Sequence, residues 1–286
     1  MSYVRVVFIF LLFLIVIGKA DAQMIKEKSA MTGPRTSFSI EILPWDVVNE
    51  MIPNKSYFTI IDVETGHSFK VQRRAGSKHA DVQPLTKKDT KIMKNIYSDK
   101  WSWDRRAILV QYSDRLIPAS MNGMPHGAGA LQNGFPGHFC VHFYGSTTHK
   151  TPTPDLAHKL MILKAGGKLH SYFYNMDPYE SINILEVAIN QHDRKLLTLI
   201  LTENEEDISK QLIHEIDHLE ITELSLLPSE DVHALFGHKV KAKLKWTSSE
   251  QAQFVTRGHL IIRKISPEGQ WGIDGKALIG LIKKDS

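Results

Sequence analysis

Residues 122–145 have the sequence NGMPHGAGALQNGFPGHFCVHFYG. It contains six glycines and two prolines and ends in an apolar run. The glycines and prolines predict a loop whose backbone adopts unusual torsions or passes close to a ligand. The run from Phe139 to Tyr144 predicts a β-strand. A glycine-rich loop is therefore expected to lead directly into a strand.

The start of this strand carries three chemically active side chains. Residues two apart on a strand share a face, so His138, Cys140 and His142 are predicted to point the same way. Cys140 is the one cysteine of the chain and can form no internal disulfide. Its position between two histidines asks for a chemical explanation.

Three interpretations of this face compete. Cys140 is a small buried hydrophobic residue, or a metal ligand, or a nucleophile. A thiolate with two imidazoles is a ligand set for zinc or copper, but ligands on one strand lie about 6.5–7 Å apart per step. A metal site would therefore need two of the three side chains together with His79 or His149. A nucleophile would need a basic neighbour, which His126, His138 or His142 would supply.

The spacing of these residues resembles a known family. The motif Met124-Pro125-His126-Gly127 is followed, after the glycine-rich loop, by His138-Phe139-Cys140-Val141-His142. This resembles the signature of L,D-transpeptidases, the YkuD-like catalytic domain, in which a His-Gly pair precedes Ser-His-Gly-Cys-x-Arg. The resemblance covers roughly residues 57–164.

The resemblance implies a role for each matching position. Cys140 is the nucleophile, His126 the base and His138 the histidine two residues before the nucleophile. Gly127 allows close approach of the backbone. Three substrate-binding positions depart from the family pattern, since this chain has Gly137 for the serine, Phe139 for the glycine and His142 for the arginine.

The same resemblance implies an activity. The protein would be an exported cysteine acyltransferase that acts on peptidoglycan stem peptides through a Cys140 thioester, as an L,D-transpeptidase or an L,D-carboxypeptidase. Such an enzyme needs neither a metal nor a cofactor. Its partners would be stem peptides of the cell wall and not nucleic acid.

The first 22 residues indicate export. Arg5 precedes an apolar run from Val6 to Gly18, and Ala20-Asp21-Ala22 offers small residues for cleavage. Thirteen apolar residues of helix reach about 20 Å, short of the ~30 Å hydrocarbon core. We therefore predict a signal peptide over 1–22, no stable membrane span after its cleavage, and a secreted or cell-envelope protein. The polar residues 23–40 predict a flexible lead-in.

Composition is that of a soluble globular protein. The hydrophobic fraction of 42% and the charged fraction of 23% indicate neither a disordered chain nor a membrane bundle. A net charge of +4 suits an anionic cell envelope without singling out a partner.

The predicted fold class is α+β, with a mainly-β catalytic domain of L,D-transpeptidase type over 41–170. Residues 44–51 have a short helical pattern, and 57–63 with 67–71 predict a hairpin around Gly66. Thr86 is the predicted N-cap of a helix through Tyr97. Residues 107–112 and 115–121 predict a second strand pair.

Residues 171–286 predict a small α+β accessory domain. Helical patterns over 178–190 and 208–216 precede alternating strands over 239–246 and 253–265. Residues 270–280 are predicted to complete a hairpin of long strands after the Pro267-Glu268-Gly269 turn. This order of elements is similar to that of NTF2-like modules.

Two other functions remain open. His214-Glu215-Ile216-Asp217-His218 fits the His-Glu-x-x-His pattern of a zinc metallopeptidase. The departures at Phe139 and His142 favour a non-catalytic cell-envelope binding protein. Two interpretations of His79 and Asp81 compete: the pair orients a catalytic imidazole or lines the cleft, or it is a solvated loop pair. The second is favoured, since loops commonly carry such residues.

Overall fold

The computed structural model describes residues 39–148, 153–202, 210–214, 218–227, 232–234, 237–248, 252–264, 266 and 268–283. The predicted signal peptide and nearly all of the predicted lead-in lie outside these residues. The fold class is α+β, as predicted, with helices and two antiparallel sheets.

The first sheet is built around the hairpin predicted from the sequence. Its strands are β1 (Ser39–Ile40), β2 (Tyr57–Asp62), β3 (Ser68–Ala75), β4 (Ala80–Pro84), β5 (Arg106–Tyr112), β6 (Arg115–Met121) and β7 (Phe139–His142). The strand order is β1-β6-β5-β2-β3-β4-β7, and β6 also pairs with β7. That extra pairing closes β2–β7 into a barrel-like ring, so β7 has a partner on both sides.

Two short helices accompany this sheet, α1 (Trp45–Met51) and α2 (Lys87–Ile96). Thr86 caps α2 as predicted, because its side chain accepts from the amide of Asp89 while the Asp89 carboxylate accepts from the amide of Thr86. This reciprocal pair satisfies two amides that a helix start leaves without partners. The predicted N-cap and the helix that follows it are therefore confirmed.

The glycine-rich loop is fastened to the sheet by the Gln83 side chain at the end of β4. The Gln83 amide nitrogen donates to the carbonyl of Gly137 at 2.7 Å. Its oxygen accepts from the amides of Ala130 and Leu131, at 2.9 Å and 3.3 Å. Gln83 is fully buried, so these bonds replace water that the group has lost. The loop that leads to Cys140 is thus held by specific hydrogen bonds.

The rest of the chain is a helical layer against a second sheet. The helices are α3 (Leu156–Ala165), α4 (Leu169–Asn175), α5 (Glu180–Asn190), α6 (Arg194–Ile200) and α7 (Gly275–Ile282), and 210–214 is also helical. The strands are β8 (Leu219–Leu226), β9 (Val232–Ala234), β10 (Gly237–Ser248), β11 (Gln253–Lys264) and β12 (Trp271–Ile273). Strands β12-β11-β10-β8 are neighbours in that order, and β9 also pairs with β10.

One prediction about this second sheet is wrong. Residues 270–280 do not form a long strand, because β12 ends at Ile273 and α7 begins at Gly275. The Asp274 side chain accepts from the amide of Ala277 at 2.9 Å and so caps the helix. A capping aspartate outweighs the apolar alternation from which the strand was predicted.

Two apolar cores stabilise the fold. One fills the first sheet and includes Ile60, Phe69 and Phe139. The other joins the helices to the second sheet, and α3 contributes Leu160 to it. Apolar packing therefore continues across residue 170, and the two-domain division placed there stays a prediction, as does the similarity to NTF2-like modules. Among the helices that are described, none is both long and apolar enough to cross a membrane.

Candidate active site

The thiol of Cys140 lies within hydrogen-bonding distance of an imidazole. The distance from Cys140 Sγ to His126 Nε2 is 3.2 Å. His126 Nδ1 lies 2.9 Å from the carbonyl oxygen of Met124, which can only accept, so Nδ1 carries the proton. In the neutral ring Nε2 then has its lone pair toward the sulfur. This is the tautomer that can remove a proton from the thiol.

The backbone fixes this distance. The amide of His126 donates to the carbonyl of His138, and the amide of His138 donates to the carbonyl of His126, each at 2.9 Å. This bridge ties the base to the strand of the nucleophile, which begins one residue later at Phe139.

Two glycines make the bridge possible. Gly137 has a φ of +123°, and a Cβ there would lie 2.5 Å from the carbonyl oxygen of His126. Gly127 has a φ of +61°, and a Cβ there would lie 2.3 Å from the ring of His138. Residues with a side chain rarely adopt such φ values, and an added Cβ at either position would overlap its neighbour. The backbone at Gly127 therefore packs directly against the His138 ring.

The resting thiol is protonated. Burial raises the pKa of the Cys140 thiol, the Asp81 carboxylate raises it further, and a hydrogen bond from the Asn122 side chain works in the opposite direction. Cys140 is 4% exposed, and its Sγ lies 3.9 Å from Asp81 Oδ1. Since only the thiolate is a good nucleophile, a base must remove the proton during reaction. His126 is placed for that step.

His79 and Asp81 belong to the site, contrary to the interpretation that they form a solvated loop pair. Asp81 lies on β4 directly opposite Cys140 on β7, and both His79 and Asp81 are buried. His79 Nε2 lies 3.3 Å from Asp81 Oδ1, and His79 Nδ1 donates to the carbonyl of Thr147 at 2.8 Å. The interpretation was wrong because the pairing of β4 with the distant strand β7 buries these two polar residues, which the local sequence does not reveal.

A stack of imidazoles forms one wall. The His142 ring lies 3.7 Å from the His158 ring and 4.5 Å from the His79 ring, measured between centroids. His142 Nδ1 lies 3.1 Å from Ser146 Oγ, and His158 Nδ1 lies 2.8 Å from Ser120 Oγ. Burial lowers the pKa of both His142 and His158 well below the ordinary value, and neighbouring positive charge lowers it further. Both rings are therefore neutral at physiological pH.

These groups surround a cleft of about 530 Å³. Trp103 lies at its edge, half exposed, with its ring 5.2 Å from the His126 ring. Arg105 reaches the cleft and pairs with Asp155 at 3.2 Å. The full lining is His79, Trp103, Arg105, Asn122, His126, Cys140, His142, Thr148, Asp155 and His158. The volume and the mixed lining suit a small organic substrate group.

The residues predicted from the sequence divide into two sets. Cys140, His126 and His142 line the cleft, and His138 stands beside them with its ring 4.6 Å from that of His126. Phe139 is fully buried on the other side of the strand, where its ring packs against Phe69 and Phe135. Its side chain therefore does not reach the cleft.

No role was assigned from the sequence to several of the cleft residues, among them Arg105, Asn122, Asp155 and His158. Asp155 had a usable signal, because it follows a proline and its side chain accepts from the amide of His158, which makes it the N-cap of α3. Asn122 had none beyond its place ahead of the glycine-rich loop.

The alternative zinc motif has little structural context. His214 and His218 are both exposed, with ring centroids 5.5 Å apart, while Glu215 lies outside the described residues. Within the described part of the chain, the group of three or more ligand-type side chains near enough to share an ion is instead His79, Cys140 and His142.

No family model, curated protein or solved structure matches this chain.

Proposed function

We propose that this protein is a cysteine acyltransferase of L,D-transpeptidase or L,D-carboxypeptidase type that acts on peptidoglycan stem peptides. The observation that carries the proposal is the 3.2 Å contact between Cys140 Sγ and His126 Nε2 beside an open cleft. Nucleophile and base within such a distance, with the base oriented by a third group, are the signature of covalent catalysis. The Met124 carbonyl is that third group.

The reaction begins with proton transfer from Cys140 to His126. The sulfur attacks the carbonyl carbon of the amide next to the third residue of a tetrapeptide stem. As the C–N bond breaks, the imidazolium of His126 returns the proton to the leaving amine, and terminal D-alanine departs. An amine of a second stem or a water molecule then attacks the thioester and regenerates the thiol. The choice of acceptor separates the transpeptidase from the carboxypeptidase.

Other cleft residues support this chemistry. Asn122, whose side-chain hydrogen bond lowers the pKa of the Cys140 thiol, would donate to the carbonyl oxygen as it becomes an oxyanion. Arg105 offers a guanidinium on the cleft wall for the carboxylate of the stem. Neutral His142 would contribute hydrogen bonding and shape, not the charge that arginine provides in the family.

The departures from the family pattern are compatible with a working nucleophile. Phe139 occupies the position of a glycine, but its side chain packs into the apolar core, away from the cleft. Gly137 occupies the position of a serine and is required by the backbone bridge. These contacts favour an enzyme over a binding protein with a degraded site.

The test is mass spectrometry of the protein after incubation with a carbapenem, whose strained carbonyl acylates such cysteines. We expect one adduct on Cys140, none in Cys140→Ala, and acylation about 10²–10⁴-fold slower in His126→Ala because general-base catalysis is lost. His67→Ala is the matched control, since His67 is exposed in the turn between β2 and β3. Release of D-alanine from a tetrapeptide stem then identifies the reaction.

The contrary outcome is equally clear. Cys140 is the one cysteine of the chain, so iodoacetamide labelling reports on it alone. A thiol that iodoacetamide labels readily but that forms no carbapenem adduct would overturn the proposal in favour of a non-catalytic protein.

A further inference from the structure

Besides His126, a second set of ligand-type side chains lies near the Cys140 thiol. One ligand atom each from His79, Cys140 and His142 lies within 4.8 Å of the other two. The three residues are 1%, 4% and 2% exposed, and all three line the cleft. Two imidazoles and a thiol therefore lie together in the wall of the cleft.

The pairing of two strands creates this arrangement. His79 immediately precedes β4, and the pairing of Asp81 with Cys140 brings that end of β4 beside β7. His142 lies two residues beyond Cys140 on the same face. The three side chains thus come from fixed backbone on adjacent strands, which is how a protein holds ligands at set distances.

Each imidazole is oriented by a bond at its other nitrogen. His79 Nδ1 donates to the carbonyl of Thr147, and His142 Nδ1 is held by Ser146 Oγ. With Nδ1 engaged, Nε2 is the candidate ligand atom of each ring, and in His79 it already lies 3.3 Å from Asp81 Oδ1. Metal-binding histidines almost always have such an outer partner, because it fixes the tautomer and the direction of the ring.

An oxygen ligand stands next to this set. Asp81 Oδ1 lies 3.3 Å from His79 Nε2 and 3.9 Å from Cys140 Sγ. Asp81 is not one of the three residues whose ligand atoms all lie within 4.8 Å of one another, but a carboxylate oxygen beside them is a donor that zinc accepts.

We propose that His79, Cys140 and His142 form a binding site for a thiophilic transition-metal ion, typified by Zn²⁺, with Asp81 or water as fourth ligand. On binding, a metal–sulfur bond forms and the thiol proton is released to solvent. Metal–ligand bonds of about 2.0–2.3 Å place tetrahedral ligands roughly 3.3–3.8 Å apart, so the cluster contracts by about 1 Å. The His142 ring is stacked between the His158 and His79 rings, so it would have to turn within this stack to reach the ion.

The consequence for activity rests on the proposed function. A metal ion bound to the sulfur occupies the lone pair that would attack the stem peptide. The metal-bound sulfur also has no proton for His126 to remove. The metal-loaded protein is then inactive, and removal of the ion restores its activity. The same residue thus serves either acyl transfer or metal binding, but never both at once.

The experiment is titration of the full, metal-free chain with Co²⁺, a spectroscopic substitute for Zn²⁺. We expect one equivalent to bind with a thiolate-to-cobalt charge-transfer band, and Zn²⁺ to abolish the band by displacement. Cys140→Ala should lose the band, and His79→Ala and His142→Ala should weaken binding by at least about tenfold. His126→Ala and the exposed control His67→Ala should bind as wild type does.

A second measurement needs no variant. Zn²⁺ should protect Cys140 of the wild-type chain from iodoacetamide, and a chelator should restore labelling. Absence of the charge-transfer band, absence of protection, or full binding in folded His79→Ala and His142→Ala would each overturn the site. Failure of the proposed function is distinct, because metal-free protein would then form no carbapenem adduct while Co²⁺ still binds.

Discussion

The first and the second sheet are both antiparallel, yet their strands bury different kinds of side chain. In the second sheet the buried positions of β10 and β11 are apolar, with Thr256 as the exception among the described residues. In the first sheet, β4 and β7 bury an aspartate, a glutamine, a cysteine and a histidine: Asp81, Gln83, Cys140 and His142.

This difference indicates that the second sheet mainly contributes stability, whereas the first sheet carries the chemically active groups. A buried polar group costs free energy unless it is fully hydrogen-bonded, whereas a buried leucine contributes favourably. The second sheet therefore looks optimised for packing. The first sheet retains polar groups where they converge on one cleft, which is typical of functional sites.

The largest effect should come from the apolar sheet and should leave the site untouched. Leu244, on β10, is 1% exposed, and Leu244→Ala should lower the free energy of unfolding by about 2–5 kcal/mol through the cavity it leaves. Leu226→Ala, on neighbouring β8 and 43% exposed, should change it by about 0.5 kcal/mol or less. Urea unfolding measures both. Slower carbapenem acylation of the folded Leu244→Ala protein would contradict the separation.

Gly137→Ala should instead act on the site, by slowing acylation of Cys140. A Cβ 2.5 Å from the His126 carbonyl must displace the backbone bridge, and a displacement of about 1 Å between reacting groups can cost about 100-fold in rate. Gly145→Ala is the matched control, because Gly145 also has a positive φ, +77°, but no atom within 4 Å of the added Cβ. Carbapenem acylation rates compare the two. Equal rates would show that the bridge does not set the catalytic distance.

The imidazole stack should make stability depend on pH. The pKa values of His142 and His158 are lowered in the folded protein, so below about pH 6.5 the unfolded chain binds more protons. The free energy of unfolding should be at its full value above pH 6.5 and should decrease as the pH falls toward the folded pKa values. The limit is about 1.4 kcal/mol per pH unit for each histidine.

Urea unfolding of chelator-treated protein between pH 5 and pH 8 tests this dependence. His158→Gln, which retains a polar group next to Ser120, should reduce the slope below pH 6.5. An identical slope in the variant would assign the pH dependence to other groups.

The smallest effect should come from Asp81→Asn. The Asp81 carboxylate raises the pKa of the Cys140 thiol, so its removal should lower that pKa and increase the thiolate fraction at neutral pH. Iodoacetamide labelling at pH 7 should become several-fold faster, and its midpoint should shift to lower pH. Asp114→Asn, in the exposed turn between β5 and β6, should label as wild type does. An unchanged midpoint in Asp81→Asn would remove the carboxylate from the electrostatics of the thiol.

Local features of the fold could be predicted from the sequence. The β2–β3 hairpin is confirmed because alternation and a glycine turn lie within a few residues of one another. The helix after Thr86 is confirmed because an N-cap residue marks its start directly in the sequence. The close approach of His126 and Cys140 was implied only by family resemblance.

Other features depend on contacts that a single sequence does not reveal. Asp81 and Cys140 become neighbours through the register of β4 and β7, although 59 residues separate them. Helix α3 went unpredicted because it is buried on most sides and lacks a clear apolar stripe. His158 joined the site with that helix. The polar partners of a nucleophile are therefore harder to infer than the nucleophile itself.

The reciprocal bonds between His126 and His138 have one more consequence. They close the base of a loop, so the spacing of base and nucleophile does not depend on the chain between them. Residues 128–132 are held separately, because the Gln83 side chain binds the amides of Ala130 and Leu131. A substitution in this segment should therefore leave the distance between the His126 ring and the Cys140 thiol unchanged as long as the bridge is intact.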